Sequence, residues 1–197
     1  LNLKGLHIYD GHIHVSDFET RKTACDNDFS DISELVTRLQ NLGINAGELA
    51  CGGTFSFPIH AKHPERTLCP GTPLLWDAGY KSSIPDLDFL NAAVLVGRVI
   101  SKPNGNICFD LGHKAMAAEM PQPRLEFLDN DIQNIENQSE EHLVIKTSAF
   151  KNLELGDLVY ALPKHICPTV ALHEKVYVVN DNLATETWDV VARKRTF

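Results

Sequence analysis

The order of secondary-structure signals in the N-terminal part of the chain constrains its fold more than any other feature. The apolar segment Leu3–Tyr9 predicts a strand. Asp31–Leu42 predicts a helix, because its apolar residues recur at helical spacing and Gly43 follows as a stop signal. Residues 44–54, INAGELACGGT, predict a second strand that ends in a glycine-rich turn. A strand, a helix and a strand in this order predict a parallel β/α arrangement.

The pattern changes after Cys69 to short apolar runs separated by Gly, Pro and Asn. Such a pattern predicts an antiparallel β-domain, either a sandwich or a barrel. Ser101–Asn106, SKPNGN, has the composition of a hairpin turn. Met120–Gln138 is acidic, rich in amides and contains two prolines, so we expect it to be an excursion over the surface. The fold class expected is therefore α/β plus all-β, with the boundary near residues 60–70.

Composition excludes several classes of function. The chain has 197 residues and a formal net charge of −8, and no run of Lys or Arg provides the basic footprint that nucleic acid requires. No apolar run approaches the roughly 20 residues of a membrane helix. Five cysteines at irregular spacing do not predict a disulfide framework and indicate a reducing cytoplasm. We expect a cytoplasmic protein that binds small molecules, with neither nucleic acid nor a membrane as partner.

The stretch PKHICPT, residues 163–169, carries the strongest candidate for a metal site. On an extended segment His165 and Cys167 would lie on the same face, because side chains alternate with a period of two. Nitrogen and sulfur ligands suit zinc, and two protein ligands leave positions open for chemistry. Glu140 or Glu141, upstream in SEEH, could orient a ligand histidine. The alternative is a buried structural cysteine beside a surface histidine.

Two turns at predicted strand ends are candidates for binding and catalysis. After the second strand, Gly52 and Gly53 would let backbone N–H groups approach an anion, and Thr54 adds a hydroxyl. After the first strand, the stretch 9–14, YDGHIH, supplies polar and basic side chains that could bind a ligand or act as a base. The alternatives are a plain tight turn at the glycines and hydrated loop residues at 9–14.

These motifs occur in one order along the chain: YDGH, GGT, PGT, WDAGY, DLGHKA, SEEH, PKHICPT and WDVVAR. Together they resemble the D-threonine aldolase and D-serine dehydratase family of pyridoxal-phosphate enzymes. The resemblance extends over nearly the whole chain. It implies the alanine-racemase-like fold, in which a β/α barrel is followed by a β-domain. Residues 1–65 would then be the last strands and helices of the cofactor-binding barrel, and residues 66–197 a metal-binding β-domain.

The resemblance also implies roles for particular residues. Tyr9, Gly52, Gly53 and Thr54 would contact pyridoxal phosphate, whereas His165 and Cys167 would hold a divalent metal. Zinc is the first choice, since this family pairs His-x-Cys with zinc and dehydratase chemistry, and manganese and magnesium are alternatives. The implied activity is that of a lyase acting on small D-β-hydroxy amino acids. In the aldolase route the base would be one of two residues, His12 or His14.

One feature departs from the family pattern. The lysine that anchors the cofactor lies on the first barrel strand in this family, and the sequence has no counterpart of that strand. Lys114 falls in a β-domain motif and does not take this role. We therefore expect an N-terminal barrel half in the same or another chain, and a homodimer by analogy with the family. An amino-acid racemase and a non-catalytic, metal-stabilised fragment are the alternatives.

Overall fold

The computed structural model describes residues 3–128, 135–146 and 152–193. The chain divides into two compact units. The first comprises Leu1–Leu74 and Lys81–Phe89, and the second comprises Leu75–Tyr80 and Leu90–Phe197. The expected division into a cofactor-binding part, residues 1–65, and a metal-binding part, residues 66–197, concerns function as well as structure and stays a prediction.

In its described residues the first unit contains a three-stranded parallel sheet. Its strands, in spatial order, are β1 (Gly5–Ile8), β2 (Glu48–Cys51) and β3 (Arg66–Leu68). Cys51 lies between Ile8 and Leu68, so the last residues of all three strands are in register at the carboxyl edge of the sheet. The predicted parallel β/α arrangement is confirmed for the first two strands. The short third strand was not predicted.

Helix α1 (Phe18–Asn41) joins β1 to β2 and begins well before the predicted start at Asp31. Its N-cap is Asp17, whose carboxylate accepts the N–H of Thr20 at 2.9 Å. The predicted end is right, because Leu42 is the C-cap and Gly43 follows in the left-handed region at φ +75°.

The early turns of α1 were missed because the helix buries a charged side chain. Arg21 is fully buried; it donates to the backbone carbonyls of Val15 and Ser16 and to the carboxylate of Asp86. A buried arginine interrupts the apolar stripe on which the prediction rested. The small core of this unit contains Ile13, Cys25 and Ile59, the last from the short helix α2 (Phe57–His60).

The described part of the second unit contains a six-stranded antiparallel sheet and a separate two-stranded hairpin. The sheet has the spatial order β6-β9-β4-β5-β8-β7. Its strands are β4 (Leu95–Ser101), β5 (Asn106–Phe109), β6 (Leu125–Phe127), β7 (Ile135–Gln138), β8 (Leu143–Lys146) and β9 (Leu158–Pro163). The hairpin consists of β10 (Lys175–Asn180) and β11 (Leu183–Asp189). The predicted antiparallel β-domain is confirmed.

The core of the second unit lies against this six-stranded sheet. Apolar side chains from five strands and from the segment after β5 are buried together: Leu95, Val99, Ile107, Phe109, Leu111, Met116, Leu125, Phe127, Leu143, Ile145, Val159 and Ala161. The hairpin turn predicted at Ser101–Asn106 is confirmed, since the N–H of Asn106 bonds to the carbonyl of Pro103 at 2.9 Å between β4 and β5. Among the described residues no helix is both long and apolar enough to span a bilayer.

The prediction for Met120–Gln138 is wrong in part. Strand β6 from this segment pairs with β9 and buries Leu125 and Phe127, and β7 pairs with β8. Prolines and acidic residues at the flanks dominate the composition and hide the two short strands. Residues 129–134 of this segment lie outside the described residues. Five further helical segments complete the secondary structure of the described residues: α3 (Ala78–Ser83), α4 (Ile166–Leu172) and 3-10 turns at Thr72–Leu74, His113–Ala115 and Val191–Arg193.

Candidate functional site

The structure brings Tyr9 and the glycine turn together at the carboxyl edge of the parallel sheet. Tyr9 follows β1 and Gly52 follows β2, and Gly52 has a φ of +79° that turns the chain out of the sheet. A Cβ built on Gly53 would lie only 3.1 Å from the Tyr9 ring. The ring therefore packs directly over the turn while remaining 69% exposed. Ligands of parallel β/α proteins bind at this edge of the sheet.

The two glycine N–H groups are already bonded within the chain. Gly52 donates to the carbonyl of Ile8 at 2.9 Å, and Gly53 donates to Ser56 Oγ at 3.1 Å. The two N–H groups are therefore already used within the chain, so the reason given for the predicted phosphate contact is wrong, whereas the contact itself stays a prediction. Thr54 is buried, and its Oγ1 accepts the N–H of Thr72 at 3.4 Å, which leaves the hydroxyl proton available for donation.

A buried carboxylate holds the glycine turn to the end of β1. Asp10 accepts the Ser56 hydroxyl at Oδ1 (2.6 Å) and the His60 Nε2 proton at Oδ2 (2.8 Å). Burial raises the pKa of Asp10, but the bonds from His60 and Ser56 outweigh burial, so this pKa is lowered overall. Because Ser56 also accepts the N–H of Gly53, Asp10 fixes the turn through one intervening side chain.

The tautomer of His60 follows from its second partner. Its Nδ1 lies 3.0 Å from an Arg66 NH group, and a guanidinium only donates, so Nδ1 accepts and Nε2 carries the proton. The Arg66 guanidinium lies 3.4 Å from the centroid of the Phe29 ring. Nearby, burial and Asp10 raise the pKa of the Cys25 thiol to about 12, so that it stays protonated. Asp10, Ser56 and His60 were not singled out from the sequence.

The two candidate bases lie outside this network. His12 Nε2 is 2.7 Å from the Asp28 carboxylate on α1, and both side chains are largely exposed. The His14 ring makes an edge contact with Phe55, with centroids 5.0 Å apart. His14 thereby lies beside the residue that follows Thr54. A catalytic role for either histidine stays a prediction.

The stretch PKHICPT is not extended, contrary to the reasoning behind the predicted metal pair. His165 precedes α4, and Cys167 is the second residue of that helix. Pro168 is compatible with the first turn of this helix, where N–H groups have no intrahelical partner. The same-face argument is therefore wrong, whereas ligation of a metal by His165 and Cys167 stays a prediction. Cys167 is exposed and His165 is partly exposed.

A carboxylate bonds to His165, and it comes from a segment that the sequence did not suggest. Glu119 Oε1 lies 2.8 Å from His165 Nδ1. Glu140 and Glu141, the predicted orienting residues, bond instead to the Lys114 ammonium at 2.8 and 2.9 Å. Lys114 is accordingly part of an exposed ion cluster. The described residues include no group of three or more His, Cys, Asp or Glu side chains arranged to hold a metal ion.

The start of α4 is anchored by the WDAGY motif. Asp77 is fully buried; its Oδ1 accepts the N–H of Tyr80 at 2.7 Å and its Oδ2 the N–H of Ile166 at 2.9 Å. Burial raises the pKa of Asp77, partly offset by these backbone bonds. Gly79 lies so close to this segment that an added Cβ would be 2.1 Å from the carbonyl oxygen of Lys164. Two motifs noted separately in the sequence thus form one structure.

Comparison with known proteins agrees with the motifs. Residues 92–179 match the family model described as "Putative serine dehydratase domain". The chain is 27% identical to a D-threonine aldolase from Arthrobacter sp over 98% of its own length and 52% of the relative. The predicted resemblance to the D-threonine aldolase and D-serine dehydratase family is confirmed. A 3-hydroxy-D-aspartate aldolase from Paracoccus denitrificans (strain Pd 1222) is 26% identical over 100% of the chain and 53% of the relative.

Solved structures confirm the fold class that this family implies. A D-threonine aldolase from Filomicrobium marinum, 27% identical, superposes with a TM-score of 0.85 over 98% of this chain and 53% of that one. An alanine racemase-like protein from Idiomarina loihiensis shares the fold at 19% identity, with a TM-score of 0.76 over 94% and 55%. A Cys-to-Ala variant of D-threo-3-hydroxyaspartate dehydratase in the metal-free form also shares the fold. It is 15% identical and superposes with a TM-score of 0.76 over 96% of this chain and 56% of that one. The chain spans about half the length of the curated relatives it matches.

Proposed function

We propose that this chain belongs to a lyase that uses pyridoxal phosphate and a divalent metal ion to act on D-β-hydroxy amino acids. The observation that carries the proposal is the match to D-threonine aldolases over 98% of the chain, in both sequence and fold. The aldolase names of the relatives favour cleavage of the Cα–Cβ bond, whereas Cys167 favours loss of the β-hydroxyl. Both reactions start from the same kind of substrate.

The residues at the carboxyl edge of the parallel sheet fit the phosphate end of the cofactor. At Gly52 an added Cβ would stand 2.7 Å from the His60 and Ser56 side chains, so the turn needs a glycine for close packing. The Thr54 hydroxyl beside it has a proton to donate to a phosphate oxygen. The Tyr9 ring, packed over Gly53, would form one side of the phosphate site. When bound, pyridoxal phosphate withdraws electrons from the Cα atom of an amino acid.

The residues at the start of α4 fit a divalent metal ion of the zinc type. His165 bonds to Glu119 through Nδ1, so Nε2 is left to bind a metal, and Cys167 supplies a sulfur ligand from the first turn of the helix. Two protein ligands leave coordination positions for water and substrate. When bound there, a metal ion would supply Lewis-acid chemistry to a substrate oxygen.

Proton transfer would fall to a histidine of the 9–14 turn. His12 is held by Asp28, and His14 is held against Phe55. Either imidazole could take the proton of a substrate hydroxyl in the aldolase reaction. Replacing each in turn by Gln and comparing the rate of glycine release decides between them.

The test is an assay of the purified protein, with pyridoxal phosphate and Zn²⁺, Mn²⁺ or Mg²⁺ added, on D-threonine, D-serine and D-3-hydroxyaspartate. Glycine and an aldehyde would identify an aldolase, and a keto acid with ammonia a dehydratase. We expect no turnover of the L-enantiomers and loss of most turnover in Cys167→Ala. Metal-independent racemisation would identify a racemase instead. Absence of turnover under every condition, also when the expected N-terminal barrel half is present, would favour the non-catalytic alternative.

A further inference from the structure

We infer that Glu119 is a positioning residue that sets the tautomer and the orientation of His165 for metal binding; this inference rests on the proposed function. A carboxylate only accepts, so the 2.8 Å contact requires the proton to be on His165 Nδ1. The lone pair of Nε2 then remains for a metal ion. Histidine ligands in metalloproteins are typically held in this way by a carboxylate or a carbonyl behind the ring.

The backbone on both sides of Glu119 is fixed by one arginine. Arg124 Nε donates to the carbonyl of Ala118 at 3.1 Å and to that of Met120 at 2.8 Å. The arginine in turn donates from a terminal NH group to Gln138 Oε1 at 2.8 Å, on strand β7. The carboxylate therefore extends from a loop whose flanking carbonyls are both held.

The backbone of His165 is fixed to the same loop. The Thr169 hydroxyl donates to the carbonyl of His165 at 2.7 Å and accepts the N–H of Ala117 at 3.1 Å. Thr169 is itself buried. One hydroxyl thus links the start of α4 to the Glu119 loop, and Asp77 holds the next residue of the helix, Ile166.

This arrangement differs from an ordinary surface ion pair. The Glu119 and His165 side chains are 53% and 37% exposed, and a pair with that exposure adds little to stability. The backbone is held by hydrogen bonds on both partners, in the Glu119 loop and at the start of α4. A weak surface pair does not need such support. It is what a site needs when the direction of a ring nitrogen determines ligand affinity.

Cobalt titration tests the inference without requiring turnover. The purified protein is titrated with Co²⁺, and binding is followed by the thiolate-to-cobalt charge-transfer absorption that a Cys167 ligand produces. We expect Glu119→Ala to weaken Co²⁺ binding roughly 10- to 100-fold. Glu119→Gln keeps an acceptor for Nδ1 and should lose less. The matched control is Glu140→Ala, which removes an exposed carboxylate bonded to Lys114 and should bind as the wild type does.

A second measurement separates positioning from a structural role. Nitrogen-15 NMR of the metal-free protein should show His165 protonated at Nδ1 in the wild type and in Glu119→Gln. In Glu119→Ala the Nε2-protonated tautomer should become populated, while the melting temperature stays unchanged because both side chains are exposed.

The outcomes distinguish this inference from the proposed function. If His165→Ala abolishes Co²⁺ binding while Glu119→Ala binds as the wild type does, the role of Glu119 is refuted and the metal site stands. If the wild type does not bind Co²⁺, or if His165→Ala binds it equally well, the metal site itself is refuted. If Glu119→Ala unfolds, the tautomer of His165 in the wild type and in Glu119→Gln still tests the inference. An Nε2-protonated His165 in the wild type would refute it.

Discussion

At the scale of single residues, the most informative group is a buried aspartate with two hydrogen-bond donors. Asp10 lies at the end of β1, 7% exposed, and its carboxylate is bonded by Ser56 and His60. His60 transmits the interaction to Arg66, so a neutral imidazole bridges a buried carboxylate and a guanidinium. A buried charge is tolerated only when it is bonded in this way.

Replacing Asp10 by Asn should lower the free energy of unfolding by roughly 3 kcal/mol at neutral pH, because the Ser56 and His60 donors lose a buried charged acceptor. Urea denaturation measures the change. Asp26→Asn, which removes an exposed carboxylate bonded to Lys22, should have little effect. A loss no larger than that of the control would contradict the role of Asp10.

The same variant should change the pH dependence of stability. The pKa of Asp10 is lowered below its ordinary value of 3.8, so the unfolded chain takes up the proton first as the pH falls. The stabilisation is complete above the unfolded pKa and is lost as the pH falls through the folded pKa. Below about pH 4, the melting temperature of the wild type should therefore fall more steeply than that of Asp10→Asn. Parallel curves would disprove the coupling.

Thr54 should contribute to cofactor affinity through its hydroxyl. Thr54→Ala removes a donor to the phosphate, a charged acceptor, which costs about 2 kcal/mol or roughly 30-fold in Kd. Thr54→Ser retains the hydroxyl and is the matched control. Absorbance titration with pyridoxal phosphate gives the Kd of the wild type and of each variant. Equal affinities of wild type and Thr54→Ala would remove Thr54 from the phosphate site.

At the scale of elements, the start of α4 depends on a contact with α3 rather than on its own sequence. Asp77 is the cap of α3 and also accepts the first N–H of α4. Gly79 allows the two segments to approach, since no side chain would fit against the carbonyl of Lys164. The geometry of the candidate metal ligands therefore depends on the WDAGY motif.

Gly79→Ala should lower the free energy of unfolding by about 3 kcal/mol, because its Cβ would stand 2.1 Å from the Lys164 carbonyl oxygen. It should also weaken Co²⁺ binding, since relief of the clash displaces the residue before His165. Gly71→Ala is the control, because an added Cβ there meets nothing within 4 Å. Denaturant melts and the cobalt titration test both effects, and wild-type behaviour in both would show that the approach of α3 to α4 is unimportant.

At the scale of the whole molecule, the second unit has a core made of apolar side chains. The side chains buried against the six-stranded sheet are apolar and come from most of its strands. Burial of such side chains is the main source of stability. The candidate ligands lie at the surface, with Cys167 exposed and His165 partly so.

Removal of metal by a chelator should therefore leave the protein folded. We expect unchanged far-ultraviolet circular dichroism, and a loss of stability limited to the ligand-binding term, about 2.7 kcal/mol when free metal had been at 100 times its Kd. Cys167→Ala provides the comparison, since its stability should not respond to metal or chelator. Unfolding on chelation would instead indicate a structural metal ion, as the alternative of a metal-stabilised fragment requires.

The sequence by itself determined those features that depend on neighbouring residues. Alternating apolar runs and turn residues predicted the parallel and antiparallel parts, the hairpin at Ser101–Asn106, and Tyr9 and the glycine turn at strand ends. Local signals failed at the start of α1, where the buried Arg21 interrupts the apolar pattern. They also failed at the start of α4, where the N–H of Ile166 is capped by Asp77 from a distant part of the sequence.

Only the tertiary structure decided which side chains meet. Asp10 bonds to residues 46 and 50 positions away, Glu119 to one 46 positions away, and Asp77 to the N–H of a residue 89 positions away. The sequence suggested Glu140 or Glu141 as the partner of a ligand histidine, whereas the folded chain brings Glu119 to His165. Local propensities fix the direction of the chain over a few residues, but a hydrogen bond requires two atoms to lie within about 3 Å. That distance is set by strand register and core packing, which are properties of the folded chain as a whole.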